Sequence, residues 1–147
     1  MATKPEQKMW DYLTAAMRGR WDAQRHEDKL SNSVPDVSFA CQGVDGWLEL
    51  KTIEEWPKRA TTMVKLQHLR SGQVNWMEDR GRRGRGACWV LLAVGGGFGN
   101  ADWVLIHHTR IRDLYDGKMG KDELLALQSA KSSGLVEMLL DAFSWFK

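Results

Sequence analysis

Asp36, Glu49 and Lys51 are residues whose types and spacing can do chemistry together. They lie in the segment VPDVSFACQGVDGWLELKT, residues 34–52. Two short β-patterned runs, PDVSFA and WLELKT, flank a Gly-Val-Asp-Gly turn, which predicts a hairpin. Successive side chains of a strand alternate faces. Asp36, Ser38 and Ala40 therefore share one face, and Trp47, Glu49 and Lys51 share one on the return strand. A turn centred near Gly43 and Val44 sets Asp36 opposite Lys51, with Glu49 on the neighbouring diagonal; such neighbours sit roughly 5 to 8 Å apart. Two carboxylates and an ammonium then face one small volume. Mg²⁺ is small and hard and takes one or two carboxylates, with waters and substrate phosphate completing its shell. Asp36 and Glu49 can supply those carboxylates and the Leu50 main-chain carbonyl a third oxygen, with Mn²⁺ as the expected substitute metal. Lys51 can orient or deprotonate an attacking water, or hold the phosphate, while the metal stabilises the developing charge. The commonplace alternative is a turn aspartate after Pro35 and a surface ion pair between Glu49 and Lys51. Against it stand the apolar partners Leu48 and Leu50 on the other face, and a Pro-Asp at hairpin distance.

The elements that must position these groups follow from periodicity. Residues 4–18 predict a helix with Met9, Trp10, Leu13, Ala16 and Met17 as its apolar stripe. Thr3 and Glu6 fit a capping box, and Gly19 is a natural stop. Residues 21–28, WDAQRHED, read as a strand entering the sheet before the hairpin. Glu27, near its end, can approach Asp36 as an extra acid, and His26 is a candidate phosphate or water contact, though lone histidines are more often structural. After Thr52 a Pro-containing connection carries Lys58 and Arg59. A second helix, capped by Ser71, then carries Gln73, Val74, Trp76 and Met77. The stretch Arg80-Gly81-Arg82-Arg83-Gly84-Arg85-Gly86 reads as a basic loop. Its glycines would let backbone approach phosphate, and its arginines would bind phosphates bidentately without reading sequence. Residues 87–94, ACWVLLAV, predict a central buried strand, and residues 102–107, DWVLIH, the last strand, antiparallel to it. The glycine-rich turn between them lacks the Lys-Ser/Thr of a P-loop. His107 and His108 lack a third ligand at suitable spacing and read as structural or rim residues. Two helical patterns, 122–131 and 135–146, close the chain, the latter an amphipathic helix expected to cover the sheet.

Pro35-Asp36, twelve intervening residues and then Glu49-Leu50-Lys51 resemble the PD-(D/E)xK nuclease signature. Within that superfamily the chain resembles small phage and archaeal Holliday-junction resolvases and the related virus-type replication-repair nucleases. These share a Glu on the first helix, the hairpin, and a following helix with a Gln and often a Trp three residues later; here those positions are Glu6, then Gln73 with Trp76. The resemblance spans about residues 3–107. It implies a restriction-endonuclease-like α/β fold with a mixed sheet flanked by helices, to which the C-terminal helices are extra. It also implies a metal-dependent endonuclease of phage type that cuts branched DNA as a homodimer. Glu6 (or Glu27) would aid a second metal or a water, and Gln73 would position water or phosphate. Nicking, flap, homing or restriction-type substrates are alternatives with the same chemistry. A non-catalytic DNA-binding module is the alternative of another class, as is a protein-binding factor. Ala at Asp36 or Lys51 is expected to abolish cleavage and leave folding intact.

Composition is compatible with these expectations without demanding them. A chain of 147 residues suits one domain. No apolar run is long enough to span a membrane and no signal-peptide pattern opens the chain, so a cytoplasmic setting, in a prokaryotic or phage-infected cell, is expected. Two cysteines, Cys41 and Cys88, make neither a disulfide framework nor a CxxC site, and predict buried thiols. A net charge of +2 is too small to argue nucleic-acid binding, so the distribution of arginines matters more.

Overall fold

The computed structural model of the chain describes residues 4–26, 33–95 and 97–146. Helix α1 (Lys4–Ala16) places Met9 and Leu13 one turn apart, both fully buried, and Met17 continues the stripe just past its end. Burying each such side chain stabilises by about 1.5–3 kcal/mol. The helix stops two residues short of the predicted Arg18, and Gly19, at φ +76°, turns the chain away. Thr3 lies outside the described residues. Strand β1 (Asp22–Arg25) is shorter than the eight residues expected, and Glu27, with the acidic role suggested for it, also lies outside the described residues.

Strands β2 (Val37–Cys41) and β3 (Val44–Ile53) form the predicted hairpin with a corrected register. Cys41 pairs with Val44 and Val37 with Leu48, so the turn is Gln42-Gly43. Both turn residues have positive φ, +54° and +84°, as a two-residue primed turn requires. Relative to the expected turn the pairing moves by two residues. Because the side-chain period is also two, every side chain stays on its predicted face.

A long connection and helix α2 (Ser71–Arg83) lead to β4 (Cys88–Val94), which runs parallel to β3. Strand β5 (Asp102–His107) returns antiparallel as expected. Short helices α3 (Ile111–Tyr115) and α4 (Lys121–Leu125) follow, then β6 (Gln128–Lys131) and α5 (Leu135–Ser144). Two expectations are corrected here. Residues 102–107 are not the last strand, and the second half of the helical pattern at 122–131 is a sixth strand paired with β5. The strands lie in the order β1-β2-β3-β4-β5-β6, antiparallel except for β3 and β4. The chain therefore has the α/β fold expected: a mixed sheet between helices, with helices at the C-terminal end.

Each face of the sheet has its own core. On one, α1 and α5 pack on Phe39, Leu48, Leu50, Trp89, Leu91 and Trp103, with Phe143 of α5 stacked on Phe39 at 4.3 Å. On the other, α2, α3 and α4 cover Val90, Leu92, Val94, Val104 and Ile106. The connection after β3 is tied to this second face. Trp56 donates its indole N–H to Asp102 Oδ2 at 2.7 Å, the Val64 N–H donates to the Met119 carbonyl, and Val64 and Leu69 are buried. No helix among the described residues is long and apolar enough to cross a membrane. Cys41 and Cys88 are free and buried, and burial pushes the Cys88 thiol up to about 12.

Candidate active site

Among the described residues, the buried polar or charged side chains are Glu49, Lys51 and Gln73, and all three meet. Glu49 and Lys51 are two apart on β3 and so project from one face. That face is the one covered by α2, whose third residue is Gln73. Glu49 is 1% exposed, and a carboxylate so buried must be paired and hydrogen-bonded. Its Oε2 takes the Gln73 amide at 2.9 Å and lies 3.1 Å from Lys51 Nζ. Its Oε1 accepts the Asp36 N–H at 3.1 Å.

Asp36 stands where β2 begins. One step beyond Val37, the observed register sets it opposite Glu49, rather than opposite Lys51 as the sequence suggested. Asp36 Oδ2 accepts the Leu50 N–H at 3.1 Å, so each acid grips the other's strand. The Leu50 side chain points into the opposite core, while its main chain lies against Asp36.

The connection before α2 fixes the remaining atoms. Lys51 Nζ donates to the His68 carbonyl at 3.0 Å. Gln73 Oε1 accepts the Arg70 N–H at 3.0 Å, which turns its NH₂ toward Glu49. Arg70, not Ser71, is the N-cap. Main-chain groups of residues 68 and 70 thus orient an amine and an amide, a function no side-chain motif announces.

Glu6, from α1, approaches the Lys51 end of this cluster. It lines a cleft of about 400 Å³ with Lys51, Thr52, Lys65, Gln67 and His68. Among the described residues no group of three or more His, Cys, Asp or Glu is arranged to hold a metal ion. The oxygens here that could face an ion are those of Asp36, Glu49 and adjacent main chain. Hard oxygen donors of that number suit Mg²⁺, which keeps several waters, better than metals that want an all-protein cage.

The basic residues fall in three settings. Lys58 and Arg59 are exposed on the connection after β3. Arg80, Arg82 and Arg83 occupy the last turn of α2, which corrects the loop expected there. Arg82 pairs with Asp79, and Arg85 is exposed just beyond the helix. The glycines of this stretch serve packing: a Cβ at Gly81 would run into the His108 ring, and Gly84 closes the helix by donating to the Arg80 carbonyl. Arg80 departs from the others. Its guanidinium stands 5.4 Å from the Trp47 ring centroid and 5.1 Å from that of Trp76, two rings in edge contact at 5.1 Å. His26 flanks Trp47 at 5.4 Å and shares a 2.7 Å hydrogen bond with the Ser38 hydroxyl.

His107 bonds the Gly86 carbonyl at 2.7 Å and Thr109 at 3.0 Å, and burial lowers the pKa of His107 and of His108. Trp47 is the residue sequence reasoning passed over. Its place on the Glu49 face was readable from alternation, but nothing local showed Arg80 arriving from α2.

No family model matches the chain, and no curated protein matches it significantly. Among solved structures it is similar to the Holliday junction resolvase Hjc of the archaeal hyperthermophile Archaeoglobus fulgidus. Identity is 17% and the TM-score 0.47, over 71% of this chain and 77% of that one. At that distance, function has to be read from the side chains themselves.

Proposed function

We propose that the chain is a divalent-metal-dependent endonuclease that hydrolyses phosphodiester bonds in DNA, with branched four-way junctions as its preferred substrate. The observation that carries this reading is the coincidence of the buried polar side chains, Glu49, Lys51 and Gln73, in one cluster against Asp36. Replacing a buried ion pair by apolar residues is often neutral or stabilising, so its presence calls for a reason other than stability.

Asp36 and Glu49, with the adjacent Leu50 carbonyl, would hold Mg²⁺ or Mn²⁺. Such an ion supplies Lewis-acid polarisation of the phosphate and a more acidic bound water. Gln73 holds Glu49 in one rotamer through its own anchored amide. Lys51 lines the same cleft as Glu6, where its ammonium would bind a phosphate oxygen or orient the attacking water. Glu6, which lines that cleft, would accept a hydrogen bond from a water there. Exposed Lys58, Arg59, Arg82, Arg83 and Arg85 would meet the DNA backbone. A homodimer would give two such sites, as paired cuts in a junction need, and light scattering at micromolar protein checks it.

The test is to incubate the protein with four-way, flap, nicked and linear duplex DNA in Mg²⁺. The expected result is cleavage of the junction first and none by Asp36→Ala. Full activity of Asp36→Ala would overturn the assignment of the site. Binding of every DNA without any cut would instead make the chain a non-catalytic binding module.

A further inference from the structure

The face of β3 that carries Glu49 and Lys51 continues, past Trp47, into a second concavity of about 400 Å³. Asp22 and Gln24 of β1, Ser38 of β2, Asp45 and Trp47 of β3 and Arg80 of α2 line it. The register explains the lining. Ala40 pairs with Asp22 on one side and Asp45 on the other, while Ser38 pairs with Gln24 and Trp47. All of these side chains therefore share the face of Glu49, which is two residues from Trp47, roughly 7 Å along the strand.

A groove beside a nuclease site suggests a track for phosphates, but its chemistry argues otherwise. The floor bears two carboxylates, which repel a phosphate, beside the neutral hydrogen-bonding groups of Gln24 and Ser38. The wall is an indole and a planar guanidinium, the two kinds of surface on which proteins stack unpaired bases. The exocyclic amino groups of cytosine, adenine and guanine are donors, and carboxylates accept from them; thymine has none. The size lies within the range of about 300–1,000 Å³ usual for small-ligand sites.

We propose that this groove is a nucleobase pocket, taking one unstacked base with an exocyclic amino group from the strand whose phosphate lies at Glu49. This rests on the nuclease reading above and deepens it. Branched DNA supplies such bases at its crossing point more readily than intact duplex does, so the pocket gives a physical source for structure selectivity. Arg80 then acts as a stacking surface and not as a phosphate clamp. Trp47 and Arg80 are specificity residues, while Asp22 and Asp45 read the base edge.

The experiment uses the full chain in EDTA, so that no strand is cut. Fluorescence anisotropy measures its affinity for duplexes with one bulged position: cytosine, thymine or an abasic site. Wild type is expected to bind the cytosine bulge about tenfold more tightly than the abasic one, and more tightly than the thymine bulge. Trp47→Ala, checked for folding by its melting curve, should bring cytosine and abasic affinities together. The double variant Asp22→Ala/Asp45→Ala alters two exposed positions and should erase only the cytosine–thymine difference. Equal wild-type affinity for cytosine and abasic bulges would overturn the proposal. So would a double variant that binds all three DNAs more tightly by the same factor, the signature of phosphate in the groove. In either case, junction cleavage in Mg²⁺ that is lost in Asp36→Ala would leave the nuclease reading standing. Failure to bind any of these DNAs, with no cleavage of the junction, would sink both.

Discussion

The same face of the sheet has two halves that differ in almost every respect. Over β4 and β5, Val90, Leu92, Val94, Val104 and Ile106 are buried beneath α2, α3 and α4. Over β1 and β2 the corresponding positions hold Asp22, Gln24, Ser38 and Ala40, and the surface is an open groove. The other face shows no such division, since Val37, Phe39 and Cys41 are as buried as Trp89 and Leu91. Strand β3 is the boundary, and Trp47, Glu49 and Lys51 are among its residues on that face. A charge placed wholly in the dry half would be too costly to keep ionised, and one in the open half would be screened by water. On the boundary it is desolvated yet still reachable, the setting in which electrostatic catalysis is strongest.

That contrast can be broken in steps of decreasing size. Asp36→Ala removes the acid on the open side of β3 and leaves the dry half untouched. Junction cleavage should fall at least about a hundredfold, with the melting temperature within a few degrees of wild type. The largest stability effect should come from severing the boundary pair itself. Lys51→Ala takes away the ammonium that lies 3.1 Å from the buried Glu49 carboxylate, and should lower unfolding free energy in urea by about 3–5 kcal/mol. This revises the sequence-based expectation that Lys51→Ala spares the fold, because that expectation did not anticipate burial of the pair. Glu49→Leu combined with Lys51→Met extends the dry half by two residues. It should be more stable than Lys51→Ala, because no buried carboxylate remains, while inactive.

Within the dry half, Gly81→Ala drives a methyl group into the His108 ring and should cost about 1–3 kcal/mol by the same urea assay. Near-neutral behaviour would show that His108 has room to move. The smallest effect is on pH. Burial depresses His107 and His108 in the folded state, so the unfolded chain binds more protons below the ordinary histidine value of about 6.5. Stability should therefore be intact above that pH and decline as pH falls through it. His107→Asn, which keeps a donor toward the Gly86 carbonyl, should flatten the fall of melting temperature below about pH 6.5.

The two halves were not equally legible in the sequence. Period-two alternation and a glycine turn placed Asp36, Glu49 and Lys51 on one face, and the unbroken apolar run of β4 announced a buried strand. The register escaped because Gln42, which offers no special ease at positive φ, serves as the first turn residue. Strand β6 escaped because Gln128-Ser129-Ala130-Lys131 has no alternation of its own, and pairing with β5 makes it a strand. The Arg-Gly stretch looked like a phosphate loop since its glycines answer to contacts made across the fold, Gly81 to His108 above all. Burial of Glu49 and Lys51 is likewise a property of α2 and the connection before it, not of the hairpin.

The order of the strands has a kinetic consequence. Each new strand docks on the one synthesised just before it, so the sheet can grow like a zipper from the first hairpin, with helical detours between the third and fourth strands and between the fifth and sixth. Topologies dominated by such near-neighbour pairings fold quickly for their size. As the polypeptide leaves the ribosome amino end first, the two acids would come together with hairpin closure. The amide that steadies one of them would arrive later, once the following helix had settled.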